Sequence, residues 1–181
     1  MKITKVNKMK LAAVVITYNP ENYLISNINS YSEYVEHILV LDNSSNNEAS
    51  KMLKENSKIE YYWQGENKGI SYCLNEAIRK CRNYGIDYLL TMDQDSSFDQ
   101  IELDKYIGRI EGNTEKDKIG MFGINLDPID KNDYKDELFI TSGSILNVNI
   151  ASKLGGFDEN LFIDEVDNEF CLRLIAKGYS T

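Results

Sequence analysis

The run KLAAVVITY at residues 10–18 is apolar with hardly a break, and it constrains the fold more tightly than any composition figure. A strand with one wet face alternates apolar and polar residues, so a run without alternation is a strand covered on both faces. HILVL at 37–41 and YLLTM at 88–92 repeat the pattern, and KIEYYWQ at 58–64 reads as a further strand. Helical patterns lie between them. NPENYLISNINSYSEY opens on Asn-Pro and places Leu24, Ile25 and Ile28 at helical spacing, and EASKMLKENS reads as a short helix. The clearest helix spans 70–84, where Ile70, Cys73, Leu74, Ala77, Ile78 and Cys81 fall at i, i+3, i+4, i+7, i+8 and i+11 before Gly85 ends it.

Downstream, 101–110 reads as a helix, IGMFGINL at 119–126 as a fifth strand, 127–136 as a polar loop and LFITSGSILN at 138–147 as another strand. A last helix sets Val166, Phe170 and Leu174 on one side. Strands alternating with helices predict an α/β fold with a mostly parallel sheet flanked by helices. With 181 residues, 42% of them hydrophobic, the whole span 1–181 reads as one domain.

Charge narrows the partners. Twenty basic against 29 acidic residues give a net charge of -9, which disfavours nucleic acid, because no basic face can dominate. Cys73, Cys81 and Cys171 have no metal-ligand spacing and point to a reducing, cytoplasmic setting. The lysines before the first apolar run mimic a signal peptide, but the run leads into Thr-Tyr-Asn-Pro rather than a small-residue cleavage site. No stretch approaches the roughly 20 apolar residues of a transmembrane span.

In open α/β sheets, ligands gather at the carboxyl ends of the strands. There the chain places Thr17, Tyr18 and Asn19, then Asp42 and Asn43, then Lys68 and Gly69, and finally Asp93 and Asp95. Two carboxylates one residue apart repel each other and are best tolerated around a cation; a hard ion such as Mg²⁺ or Mn²⁺ needs only such a pair plus substrate phosphates. A chain with 14 aspartates also produces one Asp-x-Asp by chance, so the position of the pair at a strand end is what informs. Taken alone, residues 42–45 read first as a helix cap, residues 67–69 as a turn or as an anion site at a helix start, and the acids of FIDEVDNEF as a solvated first turn or as the source of a general base.

Taken in order, VVITYNP, LDNSS, ENKGISYCLNEAI, LLTMDQDS, TSGSILN and GGFDENLFIDEVDNEFCLRLIAKGY resemble the inverting glycosyltransferases of GT-A fold called glycosyltransferase family 2, over nearly the whole chain. The forms DQDS and FIDEVDNEFCLR resemble the rhamnosyltransferases within it. The resemblance implies a GT-A, Rossmann-like fold and transfer of a sugar from a dTDP- or UDP-linked donor to a saccharide or lipid-linked acceptor in cell-surface polysaccharide synthesis. It implies that Thr17, Tyr18, Asn19, Asp42 and Asn43 hold base and ribose, with Lys68 and Gly69 beside the nucleotide. Asp93 would contact the ribose or the metal, and Asp95 would coordinate Mg²⁺ or Mn²⁺. Asp167 falls where the family carries its base, with Val166 in place of the preceding acid. Ser142, Gly143, Glu169 and Arg173 match positions on the acceptor side. Such enzymes work in the cytoplasm, some of them peripherally at the inner face of the membrane.

Family members continue past the base motif with a further strand and helices, often with a histidine completing the metal site. Here the sequence ends at Thr181, and its lone histidine, His37, reads as structural. The resemblance therefore implies a domain truncated at its C-terminus that binds nucleotide more readily than it transfers sugar. Two rivals stand beside this reading: a nucleotide-sugar-binding module without catalysis, and a phosphatase of the haloacid dehalogenase type. The latter's Asp-x-Asp normally follows the first strand rather than the fourth.

Overall fold

A computed structural model of the chain describes residues 9–53, 56–124 and 138–181. The expected strands form where the apolar runs lie: β1 (Leu11–Thr17), β2 (Ile38–Asp42), β3 (Ile59–Trp63) and β4 (Tyr88–Asp93). Two short strands complete the sheet, β5 (Met121–Phe122) and β6 (Ile145–Asn147). The order across the sheet is β3-β2-β1-β4-β6-β5. The four long strands run parallel, and β6 pairs antiparallel with both β4 and β5. This is the mixed, mostly parallel α/β sheet that the alternation predicts.

The helices are α1 (Tyr23–Asn29), α2 (Ile70–Tyr84), α3 (Gln100–Gly112), α4 (Val148–Lys153) and α5 (Val166–Ala176). Side chains alternate across β1, and the two sets meet different layers. Ala12 and Val14 pack with Leu74, Ala77 and Ile78 of α2, Ala151 of α4 and Phe170 and Leu174 of α5. Ala13 and Val15 face Leu24 and Ile28 of α1 and Leu103 and Ile110 of α3. Both faces of the strand are sealed, which is why it needs no polar alternation.

Local chemistry sets the boundaries. α2 ends as its sequence dictates: Gly85 takes φ 68°, and the N–H groups of Gly85 and Ile86 close onto the carbonyls of Arg82 and Cys81. Asp99 caps α3 by accepting from the N–H groups of Ile101 and Glu102, and Asn147 does the same for α4.

Several expectations change. The helix expected over 48–57 is a 3-10 turn, Glu48–Lys51. The fifth strand shrinks from 119–126 to two residues, and the strand expected over 138–147 survives only at its last three. Ahead of it Gly143 turns with φ 81°, and its N–H bonds to the Thr91 carbonyl of β4, so this stretch folds over the sheet end before joining it. Helix α4 follows directly on β6, in a stretch to which the sequence reading assigns no element. The polar loop expected over 127–136 lies outside the described residues. His37 bonds Glu60 through Nδ1 at 2.9 Å and stacks on Tyr84, the structural role expected of it.

Candidate active site at the carboxyl ends of the parallel strands

The strand-end segments converge, and their backbones are tied to one another directly. From the end of β1, the Tyr18 N–H donates to Gln94 Oε1 at 2.9 Å, and Gln94 Nε2 donates back to the Tyr18 carbonyl at 3.2 Å. The residue between the two aspartates is thus an amide latch joining the ends of β1 and β4. Asn19 takes φ 47°, and its N–H donates to Ser44 Oγ at 2.7 Å. Thr17 is fully buried, and its hydroxyl has no hydrogen-bond partner among the described residues. Tyr18, by contrast, is 54% exposed.

Asp42 and Asn43 turn inward. Asp42 has no accessible surface; Oδ1 accepts from the N–H and hydroxyl of Ser44, and Oδ2 from the Tyr61 hydroxyl at 2.6 Å. Asn43 bridges to α2, accepting from the Lys68 N–H at 3.1 Å and donating to the Gly69 carbonyl at 3.3 Å. Both act on the loops around them. An open cleft of about 380 Å³ lies alongside, lined by Asn19, Pro20, Ser44, Asn46, Glu48 and Met52 among others.

The start of α2 differs from a bare anion-binding helix terminus. Gly69 N–H is taken by Asn67 Oδ1, Ile70 N–H donates to the Phe162 carbonyl at 2.8 Å, and the Ser71 hydroxyl donates to the Leu161 carbonyl at 2.6 Å. One turn on, Asn75 donates to the Phe157 carbonyl and accepts from its N–H at 2.7 Å. The helix therefore spends its first donors on the segment that leads into α5, while the Lys68 ammonium, paired with Glu66, stands in solvent. A left-handed Gly69 (φ 85°) is required here, because a Cβ would lie 2.6 Å from the Phe162 carbonyl oxygen.

That segment delivers Asp167, half-buried in the first turn of α5 after Glu165, which holds φ 63°. Asn19 and Glu165 are the non-glycine residues with positive φ among those described; Asn19 lines the cleft, and Glu165 immediately precedes α5. Such strain is kept where the surroundings over-determine it, a pattern common at functional sites. Glu169 and Arg173 are occupied with each other: Arg173 Nε and a terminal nitrogen grip the carboxylate at 2.6 and 2.8 Å, and the guanidinium also donates to the carbonyls of Leu154 and Gly156. They brace the turn before residue 157.

Asp93 records the convergence in its acidity. Its carboxyl is pushed above the ordinary carboxylate range, first by the protein atoms crowding it from water; a Ser142 hydrogen bond opposes the rise, and the charges of Asp95 and Asp167 add to it. Asp167, distant in sequence, therefore lies near enough for its charge to act on Asp93. Asp93 N–H also donates to Ser142 Oγ at 3.1 Å, and the hydrogen bond between Gly143 N–H and Thr91 brings the 141–144 segment to the same corner. No cluster of three or more His, Cys, Asp or Glu side chains suited to a metal occurs among the described residues. The Asp93 and Asp95 carboxylates nonetheless fit a hard divalent ion that completes its shell from a bound diphosphate: the donors are all oxygen, and a cation would relieve their repulsion.

Sequence reasoning missed Tyr61 and Trp63, whose hydroxyl and indole N–H donate to Asp42 at 2.6 Å and to the Ser44 carbonyl at 2.8 Å. Only the i, i+2 spacing of Tyr61 and Trp63, which puts both on one face of a strand beside β2, hinted at them.

The profile of a family described as Glycosyl transferase family 2 matches residues 12–153. A dTDP-rhamnosyl transferase, RfbF, of Shigella flexneri is 29% identical over 191 aligned positions, covering 92% of this chain and 63% of that protein. The chain thus spans under two thirds of that relative's length. Among solved structures, a 4-diphosphocytidyl-2C-methyl-D-erythritol synthase superposes with a TM-score of 0.60 at 14% identity, covering 94% of this chain and 86% of the other. HddC from Yersinia pseudotuberculosis gives 0.51 at 12% identity over 78% and 79%. These likenesses concern the fold.

Proposed function

The chain belongs to glycosyltransferase family 2, and from that premise we propose that it moves a sugar, rhamnose in the first instance, from a dTDP- or UDP-linked donor to a hydroxyl of a saccharide or lipid-linked acceptor in cell-surface polysaccharide synthesis. The observation that carries this reading is the meeting of Asp93, Asp95 and Asp167 at one corner, next to loops from the ends of β1 and β2 and the start of α2. A donor site, a diphosphate-side acid pair and a candidate base are then neighbours.

In this reading Tyr18 and Asn19 face the nucleotide, with Thr17, Asp42 and Asn43 shaping the floor beneath them. Lys68 releases Glu66 to meet phosphate, and Gly69 allows the close approach of chain at its back. Asp93 and Asp95 would hold Mg²⁺ or Mn²⁺, which when bound offsets the charge growing on the leaving diphosphate. Asp167 accepts the proton of the acceptor hydroxyl as that oxygen attacks the anomeric carbon, and the nucleoside diphosphate departs from the opposite face, inverting configuration. Ser142 and Gly143 border the acceptor side, while Glu169 and Arg173 hold the base-bearing helix to its preceding turn. The buried thiols of Cys73, Cys81 and Cys171 support a reducing, cytoplasmic compartment, and no helix among the described residues is long and apolar enough to cross a membrane.

A thermal-shift screen of nucleotide sugars with and without Mn²⁺, followed by donor turnover, tests the proposal. Metal-dependent stabilisation by a rhamnosyl donor that disappears in Asp95→Ala, with turnover abolished in Asp167→Asn, is the expected outcome. Donor binding with no turnover in either wild type or Asp167→Asn would identify a binding module instead, and stabilisation untouched by Asp95→Ala would remove the metal role.

A further inference from the structure

The edge strand β3 reaches across β2 to the nucleotide-facing loop twice. Tyr61 donates to Asp42, and Trp63, two residues on and on the same face, donates to the Ser44 carbonyl. Ser44 in turn gives its N–H and hydroxyl to Asp42 and receives the Asn19 N–H, so one continuous chain of hydrogen bonds runs from β3 to the left-handed residue at the end of β1. Asp42 and Ser44 are sealed from solvent. Burial and the neighbouring carboxylate push the Tyr61 phenol above its ordinary range, so it stays a donor throughout physiological pH. The Asn19 N–H rests on the Ser44 oxygen, Ser44 is held by Asp42, and Asp42 accepts from Tyr61.

We propose that Tyr61 and Trp63 are positioning residues for the donor: acting through Asp42 and Ser44, they fix the shape of the 42–46 loop and the left-handed turn at Asn19, and so set affinity for the nucleoside part of the donor. The inference rests on the nucleotide-sugar reading above. It also explains a buried carboxylate with no partner cation. Asp42 serves as a two-sided acceptor gathering hydroxyl and amide donors from two segments, the loop after β2 and strand β3, and in a dry site such a network holds geometry firmly.

The variants Tyr61→Phe and Trp63→Phe remove one donor each; the first keeps the same ring, and the second keeps a smaller aromatic one. Nucleoside diphosphate affinity is measured by calorimetry, and steady-state constants in the transfer assay, at a temperature where each variant is folded by circular dichroism. In each variant we expect Kd for the nucleoside diphosphate and KM for the donor to rise about tenfold, with kcat and the acceptor KM moving less than about twofold. Trp63→Phe leaves every bond to Asp42 intact, so it carries the test if Tyr61→Phe melts early. Unchanged Kd in a folded variant overturns the inference, as does a fall confined to kcat. If wild-type protein binds no nucleoside diphosphate, the nucleotide-sugar reading fails first, and the two failures are told apart by that single titration.

Discussion

Gly69→Ala tests whether the segment carrying Asp167 hangs from the start of α2. Gly69 holds φ 85°, and an added Cβ would sit 2.6 Å from the Phe162 carbonyl oxygen and 2.7 Å from its Cδ2. An L-residue in left-handed backbone costs about 1–2 kcal/mol. The nearest obstacle is backbone, so no rotamer change clears it; Phe162 must withdraw, and the Ile70 N–H then loses its acceptor for about 1 kcal/mol more. The sum of about 2–3 kcal/mol lowers the melting temperature by about 4–12 °C at this chain length. The withdrawal also shifts the 164–167 segment, and a displacement near 1 Å at reacting groups costs about a hundredfold in rate. Calorimetric melting and donor turnover at 25 °C, where the variant is still folded, separate the two effects. The double variant with Phe162→Ala removes the ring contacts but not the carbonyl, so it regains part of the stability and little of the turnover. A Gly69→Ala protein that melts within about 1 °C of wild type and turns over normally would refute the argument.

Other outcomes follow from the charged groups. Asp93→Asn is expected to stabilise the ligand-free protein at neutral pH, because crowding and the charges of Asp95 and Asp167 raise the native carboxyl, so its ionised form costs stability at every pH above that raised value. Its denaturant midpoint should rise while metal-dependent donor binding is lost; a lower midpoint contradicts the assignment. Glu60 behaves oppositely. Burial pushes its carboxyl up, but hydrogen bonds from Tyr84, Tyr62 and His37 outweigh this and hold it below its ordinary 4.5. Its contribution is therefore complete above 4.5 and lost as pH falls through the lowered native value. Melting curves between about pH 3 and 7 should show a shallower acid decline in Glu60→Gln than in wild type.

Much of this was legible in the sequence, and the reasons are specific. β1, β2 and β4 are buried on both faces, so their apolar runs had no competing explanation, and α2 announced itself through spacing and Gly85. β6 was overdrawn because Leu138 and Ile140, apolar but 50% and 58% exposed, look like strand residues while lying in the approach to it. Among site residues, the strand-end positions were found because topology alone gathers them. The inward turn of Asp42 and the pairing of Glu169 with Arg173 were not, since sequence shows a charge but not the donors that will surround it. Gln94 was visible only as a family form; the latch to Tyr18 is what an amide at that position does physically.

The pairing of β1 with β4 has a consequence in time as well as in space. Leu11 aligns with Tyr88, so the central pair of the sheet joins strands separated in sequence by α1, β2, β3 and α2. Loop closure of this kind is entropically costly and slow relative to local helix formation. The Gln94 to Tyr18 latch lies at the carboxyl end of that ladder, so it too depends on the closure. A chain rich in helix but lacking the β1–β4 ladder therefore lacks the contact that joins these two strand ends, and the latch marks completed pairing rather than mere collapse.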